Sequence, residues 1–470
     1  MGLKSNARNG VKAQLRDRFP DAFKEFDTLV DARNASSATR EEAFACIDGN
    51  VLMMSVPQSC RTFDAYVGIV YSSLLKAIAT AIVTVVVFDD PSAMTEAKLE
   101  EQRRRDSARA ATTVVCSTDM CGTNADDFTK EYILQASDVH TLKQGRGTRM
   151  RFFDEVAMTV MDRLKLQISK WEKGGHVGGH VVMDGIDSRG AGRGIGEVRD
   201  NGFVSSSEGL GELFRRSTMI GEGDLKLADL GRRVRELSNS GVQDLSPCQK
   251  VHAERLKRTK LIQCTTIDTD SFAIELIEEA RRSAQPNTSP ANTLLCMRER
   301  AKKRGCDDDR DPFYLCCDIA LLHASLQRHM WGISRSPGPI DQRAAITLLV
   351  AGWCMCGCDF VEIKGMRSDV VFESIGEIVK THSDSVGLMQ HSWQGERETL
   401  ALTHKPIRQL LTACATKLID IPRIKKDFLT NVRQPDQLVL NKVGWLCAYW
   451  NSCEHHGSME DFGFLKQFST

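Results

Sequence analysis

The sequence predicts an α/β protein with a parallel central sheet flanked by helices and a helical C-terminal region. Residues 82–88, IVTVVVF, form a continuous β-branched run, which is typical of a strand buried on both faces. Residues 44–48, FACID, are a second short apolar run, and residues 62–80 carry apolar side chains at helical spacing. A strand, a helix and a strand in this order indicate a βαβ unit, which binds ligands at the carboxyl ends of its strands.

The later parts of the chain continue this alternation. Residues 152–171 have one apolar face and predict an amphipathic helix, and LIQCTTIDTDSFAIEL at 261–276 predicts a strand that ends in two acids. The other predicted elements are a charged helix over 95–113, an irregular segment over 117–150, a polar, basic loop over 282–312, buried helices over 313–332 and 342–357, and a helical pattern from about residue 400 onward.

These patterns divide the chain into four parts. Residues 1–172 and 217–375 are predicted to form the N-terminal and C-terminal parts of one core, and residues 376–470 a helical C-terminal region. Residues 173–216 are rich in Gly, Ser and Arg, which predicts a flexible surface insertion. This stretch contains GAGRGIGE, but HVVMDG is the only preceding run of strand length and the glycines are too dense for a dinucleotide-binding loop, which disfavours a nucleotide-binding enzyme.

The composition narrows the class of partner and compartment. The 470 residues include 62 basic and 62 acidic side chains, so no net field attracts nucleic acid, and any basic site must be local. The 16 cysteines are scattered, mostly within apolar runs, which predicts buried free thiols in a reducing compartment, the cytoplasm or nucleus, rather than a secreted protein. No signal peptide is expected. The longest apolar stretch is interrupted by Lys76, so no membrane partner is expected either.

Two cysteine-containing motifs have the residue types of zinc ligands. Cys354, Cys356 and Cys358 alternate in CMCGCD, and the second motif, late in the chain, consists of Cys453, His455 and His456. Neither spacing is the usual pair of ligands two residues apart with a second pair at a suitable distance. Both are interpreted as thiols without a metal, and no zinc is expected.

Carboxylates recur where strands or apolar runs end. Groups of acids that lie close together repel one another unless a cation lies between them, and oxygen ligands suit Mg²⁺ or Mn²⁺. Two such ions can activate water and neutralise a leaving phosphate oxygen, so phosphodiester hydrolysis is the chemistry that the set fits best. For any single acid the alternative is a helix cap or a turn, and Glu222 and Asp224 could simply face the dipole of a helix N-terminus. The seven candidate ligands are Asp48, Asp89, Glu222, Asp224, Asp268, Asp270 and Asp359.

The order of these acids resembles the 5′ nuclease superfamily, which includes flap endonucleases, XPG repair nucleases and Xrn-type 5′→3′ exoribonucleases. The resemblance covers most of residues 1–375. It lies in the initial MGL, in CIDGN, in VVVFDDPSAMTEAK, in GEGDLKL, which is similar to the Xrn-type G-E-G-E-x-K, in IDTDSF, and in GCDF. It implies a PIN-like fold of the XPG, FEN and Xrn type, and it implies that the seven acids hold two Mg²⁺ or Mn²⁺ ions.

The resemblance also implies contacts with nucleic acid. AKLEEQRRR at 97–105 is similar to the Xrn-type helix that holds a 5′-phosphate, with matches at Lys98, Gln102 and Arg105 and a further basic residue at Arg103. Asp106 stands where that family has an arginine, which predicts tolerance of 5′-hydroxyl ends. The segment GCDFVEIKGMRSDVVFESI is closer to flap endonucleases and adds Lys364 and Arg367 as candidate contacts.

The resulting hypothesis is a metal-dependent 5′ nuclease in which Lys98 and Arg105 act on the phosphate beside the metal ligands. The substrate, a single-stranded 5′ end or a flap, of DNA or RNA, is left open. The mixed motifs and large insertions indicate a divergent member, consistent with an origin in a large virus or a protist. The alternative is a catalytically weak or inactive protein that keeps the fold and serves as a scaffold or binds nucleic acid.

Overall fold

A continuous apolar run buried on both faces forms the centre of the sheet, as the sequence predicts. The computed structural model describes Leu3, Ala136 and residues 10–57, 59–88, 133–134, 138–142, 146–173, 179–184, 203–205, 209–214, 223–239, 245–283, 291–299, 313–332, 339–358, 366–381, 389–394, 397–402 and 409–414. The described strands are β1 (Phe23–Phe26), β2 (Ala43–Asp48), β3 (Val83–Val87), β4 (His180–Asp184), β5 (Phe203–Ser205), β6 (Leu261–Thr266), β7 (Asn292–Glu299), β8 (Phe313–Asp318), β9 (Met389–Gln394) and β10 (Arg397–Leu402).

The α-helices alternate with these strands along much of the chain. In order, those described are α1 (Val11–Arg18), α2 (Leu29–Ala35), α3 (Gly49–Met54), α4 (Phe63–Ile78), α5 (Val139–Leu142), α6 (Arg146–Lys173), α7 (Leu210–Leu213), α8 (Gly223–Asn239), α9 (Pro247–Leu256), α10 (Asp270–Ser283), α11 (Ile319–Trp331), α12 (Pro339–Cys356) and α13 (Ser368–Thr381). Short 3₁₀ turns cover Pro20–Ala22 and Arg40–Glu42. In the described part of the chain, no helix is both long enough and apolar enough to cross a bilayer.

The chain forms two compact units. The contiguous unit is Phe26–Thr266, and the two-segment unit combines Met1–Glu25 with Ile267–Thr470. The first contains most of the parallel strands, and the second contains antiparallel pairs.

The contiguous unit is an α/β layer structure with strand order β6-β2-β3-β4-β5. β2 pairs in parallel with β3 and β6, β3 pairs in parallel with β4, and β5 is antiparallel to β4. All six residues of β2 and all five of β3 are buried, which explains their unbroken apolar sequences. Helices α4 and α6 supply the core on one side, where the rings of Tyr66 and Phe152 meet edge to face at 4.8 Å between centroids.

The two-segment unit has a different construction. β7 and β8 form an antiparallel pair, β1 lies beside β8, and β9 and β10 form a separate antiparallel hairpin. Helices α10, α12, α13 and α11 pack around a core that includes the fully buried Trp353, whose ring lies 5.6 Å from that of Phe372. The α/β class is therefore confirmed, with a mixed, mostly parallel arrangement in the contiguous unit.

Several predicted elements need correction. The loop predicted over 282–312 contains strand β7, and the helix predicted over 313–332 begins only at Ile319, after strand β8. Both strands have short apolar runs buried on both faces, TLLCM and LCC, and periodicity does not distinguish such runs from loop edges or a buried helix. The helical region predicted over 376–470 contains the β9–β10 hairpin, so the helical pattern predicted from about residue 400 onward is wrong up to Leu402, whereas residues 409–414 are helical.

The predicted insertion at 173–216 also contributes to the sheet. Its described residues include β4, β5 and helix α7. β4 pairs with the central strand β3, so the expectation of a surface insertion does not hold for these residues. HVVMDG is the one run of strand length in this segment, and its residues His180–Asp184 form β4, although the density of glycines favours a surface insertion in the sequence. The four-part division of the chain remains a prediction.

The cysteines behave as the sequence predicts. All those described are free thiols, and only Cys248 among them is exposed. Two pairs meet across neighbouring strands, with Sγ atoms 3.2 Å apart for Cys46 and Cys264 and 3.3 Å apart for Cys296 and Cys316.

Candidate functional site

The carboxyl edge of the parallel strands is the candidate site. In the register of the sheet Asp48 lies opposite Val87, and Ile47 lies opposite Thr265. The ends of β2, β3 and β6 are therefore level with one another. Because parallel strands present their carboxyl ends together, side chains at these three ends share one edge of the contiguous unit.

Asp48 is the last residue of β2 and is buried, with 8 % of its surface exposed. Its Oδ1 accepts a hydrogen bond of 2.9 Å from the backbone N–H of Asn50 and so caps helix α3. Asp48 is therefore a helix cap, which is the alternative interpretation of a single acid at a strand end. A cap occupies one carboxylate oxygen and fixes the direction of the side chain at the strand end.

Asp224 lies in the first turn of α8, where a negative charge is favoured by the helix dipole. Its Oδ1 accepts a hydrogen bond of 3.2 Å from Oγ1 of Thr266, the last residue of β6. This contact joins residues 42 positions apart and ties the start of α8 to the end of a central strand.

Lys226 makes a second tie from the same turn of helix. Its Nζ donates a hydrogen bond of 2.7 Å to the carbonyl oxygen of Phe88, the residue that follows β3, and its side chain is buried. Lys226 and Thr266 were missed as site residues in the sequence, although GEGDLKL contains the lysine. No local sequence pattern predicts the hydrogen bond of Lys226, because its partner Phe88 is 138 residues away.

Asp268 and Asp270 belong to the two-segment unit, directly after the end of β6 in the chain. Asp270 begins α10, is buried, and accepts a hydrogen bond at Oδ1 from the backbone N–H of Leu3. Leu3 belongs to the initial MGL that contributes to the superfamily resemblance. Asp268 is half-buried.

The remaining predicted residues have limited placement. Arg367 is described, and its guanidinium forms an ion pair with Asp369, with Nε 3.0 Å from Oδ1. An arginine already paired in this way offers less charge to a nucleic acid than the sequence suggested. The residues that lie outside the described part of the chain are Asp89, Lys98, Gln102, Arg103, Arg105, Glu222, Asp359 and Lys364.

A further acid at the same edge was missed. Asp184 ends β4, and the pairing of Val86 with Met183 brings the end of β4 level with the end of β3. The sequence feature that indicates Asp184 is the short apolar run HVVM, which ends at this acid.

The donor chemistry of this edge suits a hard divalent cation. Asp48 and Asp224 offer carboxylate oxygens, which Mg²⁺ and Mn²⁺ prefer. Among the described residues, no group of three or more His, Cys, Asp or Glu side chains is close enough to hold a metal ion. Three of the seven predicted ligands are outside that part of the chain.

The amino edge of the same sheet has histidine and arginine side chains, in contrast to the acids of the carboxyl edge. His180 begins β4, and its Nε2 is hydrogen-bonded to Nη1 of Arg255 at the end of α9. The pKa of His180 is lowered to about 3, first because the ring is buried and then through electrostatic interactions with Arg255, His252 and Arg40. His180 is therefore neutral in the folded protein over the physiological range of pH.

Mild acid is expected to destabilise the protein through His180. The folded pKa of about 3 lies below the ordinary value of 6.5, so the unfolded chain binds more protons between these values. The stabilisation is complete above pH 6.5 and is lost as pH falls towards 3. This loss amounts to about 3 kcal/mol by roughly pH 4.

The variant His180→Gln isolates this contribution, because glutamine keeps an acceptor oxygen for Arg255 and does not titrate. Urea unfolding at about pH 7.5 and about pH 4.5 should show a smaller difference for the variant than for the native protein. Equal differences in the two proteins would show that His180 does not carry the acid sensitivity.

No protein-family model matches the sequence, and no curated protein matches it significantly. A functional assignment therefore rests on the motifs and the geometry of this chain.

Proposed function

We propose that this chain is a Mg²⁺- or Mn²⁺-dependent 5′ nuclease with a PIN-like fold of the kind shared by XPG, flap endonuclease and Xrn-type enzymes. It hydrolyses phosphodiester bonds of nucleic acid from or near a 5′ end. The observation that supports the proposal most is the pair of ties made by the first turn of α8 at the strand edge where Asp48 ends β2.

The ties matter because they position an acidic motif against two strand ends. Thr266 orients the carboxylate of Asp224, and Lys226 holds the carbonyl of Phe88, which directly precedes Asp89. A ligand that is held by a second hydrogen bond keeps its direction when a cation binds. The edge therefore has two described carboxylates, Asp48 and Asp224, on elements fixed by buried contacts.

Each group has a definite role in the proposal. Asp48 and Asp224 hold cations, and Lys98 and Arg105 bind a phosphate and stabilise the negative charge that develops on it. The bound divalent ions supply activation of water and neutralisation of the leaving oxygen. Lys226 holds the first turn of α8 against the end of β3 and offsets part of the acidic charge before the cations bind.

A second candidate is a binding protein or scaffold that keeps the fold without cleavage. The observation that favours it is that described acids already have partners within the chain: Asp48 caps α3, and Asp270 accepts from Leu3. The buried ammonium of Lys226 also lowers the repulsion at the edge in the absence of a metal.

A cleavage assay separates the two functions. The purified protein is incubated with single-stranded RNA, single-stranded DNA and flapped duplex DNA, labelled at either end, in Mg²⁺, Mn²⁺ or EDTA. We expect products that begin at or near the 5′ end, only when a divalent cation is present. No cleavage of any substrate supports the scaffold.

The same assay tests the contact with the 5′ end. Lys98→Ala is expected to weaken cleavage, because a phosphate contact is removed. Substrates with a 5′-phosphate and a 5′-hydroxyl should differ only modestly, because Asp106 opposes the phosphate charge. Release from the 3′ end, or cutting of closed circular strands as fast as linear ones, would contradict the 5′ polarity and leave only a metal-dependent nuclease.

A further inference from the structure

Two cysteine side chains face each other on neighbouring strands of the contiguous unit. Cys46 of β2 is the register partner of Cys264 of β6, and their Sγ atoms are 3.2 Å apart. The two residues are 218 positions apart in the sequence, so only the parallel register brings them together. Opposite residues on paired strands have Cα atoms within the range that a disulfide bond requires. The two thiols are therefore placed to form one.

The thiol pair lies on the face of the sheet that helix α8 covers. Because side chains alternate along a strand, Ile262, Cys264 and Thr266 share one face of β6. Cγ2 of Ile262 lies 3.7 Å from the position of a Cβ added at Gly231 of α8. Thr266 donates a hydrogen bond to Asp224 in the first turn of the same helix. Cys264 stands between these two contacts, so α8 lies over the pair.

The pair is also close to the candidate metal edge. Cys46 stands two residues before Asp48, and Cys264 stands two residues before Thr266. Each step is about 7 Å along the strand, and the alternation keeps each pair of residues on one face. A change in the distance between β2 and β6 at the thiols is therefore carried to the carboxylate of Asp48 and to the hydroxyl that orients Asp224.

We propose that Cys46 and Cys264 form a redox switch, in which a hydroperoxide converts the two thiols to a disulfide bond that loosens the first turn of α8 from the strand edge. Disulfide bonds of proteins in reducing compartments are mostly transient and serve catalysis or the sensing of oxidants. The switch goes beyond the proposed nuclease activity and needs no bound metal. If the nuclease proposal holds, the disulfide bond also lowers the rate of cleavage.

The oxidation takes two steps. One sulfur, as its thiolate, attacks an oxygen of hydrogen peroxide, which gives a sulfenic acid and one water. The second thiol attacks the sulfenic sulfur, the S–S bond forms, and a second water leaves. In total, two thiols lose two hydrogen atoms and one peroxide is reduced to two waters. Because the second thiol is already in contact with the first, the second step needs no diffusion.

Burial sets the rate of the first step. The two cysteines have 0 % and 1 % of their surfaces exposed. Hydrogen peroxide is small and uncharged, and it reaches buried groups when the element above them opens locally. The first turn of α8 is attached to the strand edge by the hydrogen bonds of Asp224 and Lys226. The thiols are therefore expected to oxidise at a rate that follows the opening of α8.

The disulfide bond changes the spacing beneath α8. Its Cβ atoms are about 3.8 Å apart, whereas paired strands are about 4.8 Å apart. Formation of the bond therefore draws β2 and β6 together by about 1 Å at this position. The hydrogen bond between Thr266 and Asp224 is 3.2 Å long. A further displacement of about 1 Å takes it beyond hydrogen-bonding distance, and one attachment of α8 is lost.

Disulfide mapping in EDTA tests the switch without any cleavage. The native protein, Cys264→Ala and Cys296→Ala are treated with hydrogen peroxide, remaining thiols are alkylated, and peptides are analysed by mass spectrometry without reduction. Cys296→Ala is the matched control, because Cys296 is also buried and faces Cys316 at 3.3 Å in the other unit. Oxidation of the exposed Cys248 shows that the oxidant is active. Hydrogen exchange of the α8 amides is measured before and after oxidation.

We expect peroxide to link the peptides of Cys46 and Cys264 in the native protein and in Cys296→Ala. In the linked protein the amides at the start of α8 should exchange about tenfold faster, and a dithiol reductant should restore slow exchange. Peroxide should leave the exchange of these amides unchanged in Cys264→Ala. The proposal is overturned if no link forms once Cys248 is fully oxidised, if the link leaves exchange unchanged, or if Cys264→Ala responds like the native protein.

A second variant covers the case in which Cys264→Ala does not fold. Cys46→Ala removes the other sulfur, and peroxide should again leave the exchange of the α8 amides unchanged. A native-like response in Cys46→Ala would overturn the pairing of these two thiols. Neither the link nor the exchange depends on nuclease activity, so the switch can fail while the nuclease proposal stands, and the reverse.

Discussion

Asp224→Asn is expected to lower the rate of metal-dependent cleavage by about 10²–10³-fold while the fold is kept. The amide has the same shape as the carboxylate, and its oxygen can still accept the hydrogen bond from Thr266. What is lost is the negative charge that would hold a divalent cation. Removal of one like charge from an acidic edge should leave the melting temperature unchanged or slightly higher.

The matched control is Asp64→Asn on α4. Asp64 is exposed and pairs with Arg163 at 3.2 Å, and such surface pairs contribute little to stability. The control should therefore cleave at the native rate. Initial rates at several Mg²⁺ concentrations, with melting curves for all three proteins, make the comparison. Full activity in Asp224→Asn would remove it from the metal ligands.

Gly49→Ala is expected to reduce both stability and cleavage. Gly49 follows Asp48, and a Cβ at this position would lie 2.3 Å from Cε1 of Phe88 and 2.5 Å from two further ring atoms. The ring of Phe88 is buried, so it has little room to move. We expect a loss of about 1–3 kcal/mol in the free energy of unfolding, as for other overpacked cores.

The loss of cleavage follows from the position of the clash. Phe88 is tied through its carbonyl to Lys226 and precedes Asp89, so a displaced ring shifts the ends of β2 and β3 against each other. Displacement of about 1 Å at a catalytic edge can cost about a hundredfold in rate. Urea unfolding and initial rates measure the two effects separately.

Gly68→Ala, on another helix, is the control variant, and we expect it to stabilise the protein instead of destabilising it. Gly68 lies in α4, and nothing stands within 4 Å of an added Cβ. Alanine should therefore stabilise this helix by about 0.5–1 kcal/mol and leave cleavage unchanged. If Gly49→Ala were as well tolerated as Gly68→Ala, the close packing of Phe88 on Gly49 would be irrelevant to the site.

Local patterns predicted the elements whose environment is uniform. Strands β2 and β3 are buried on both faces, so their apolar runs are unbroken, and α4 has a regular apolar face. Where the environment changes over a few residues, the local patterns do not distinguish a strand from a helix. In FYLCCDIALL a strand passes directly into helix α11 at Asp318, and both are apolar, so one long helix was predicted.

The sequence by itself determined the α/β class, the buried thiols and the placement of acids at strand ends, because these depend on periodicity and on residues close together in the chain. Only the tertiary structure decided that β4 lies beside β3, that Thr266 and Lys226 support the acidic edge, and that Arg255 faces two histidines at the opposite edge. Such contacts join residues from 42 to 138 positions apart, and they form only when the parallel register of the sheet brings strand ends level. No local propensity encodes that register, since it results from the packing of whole elements.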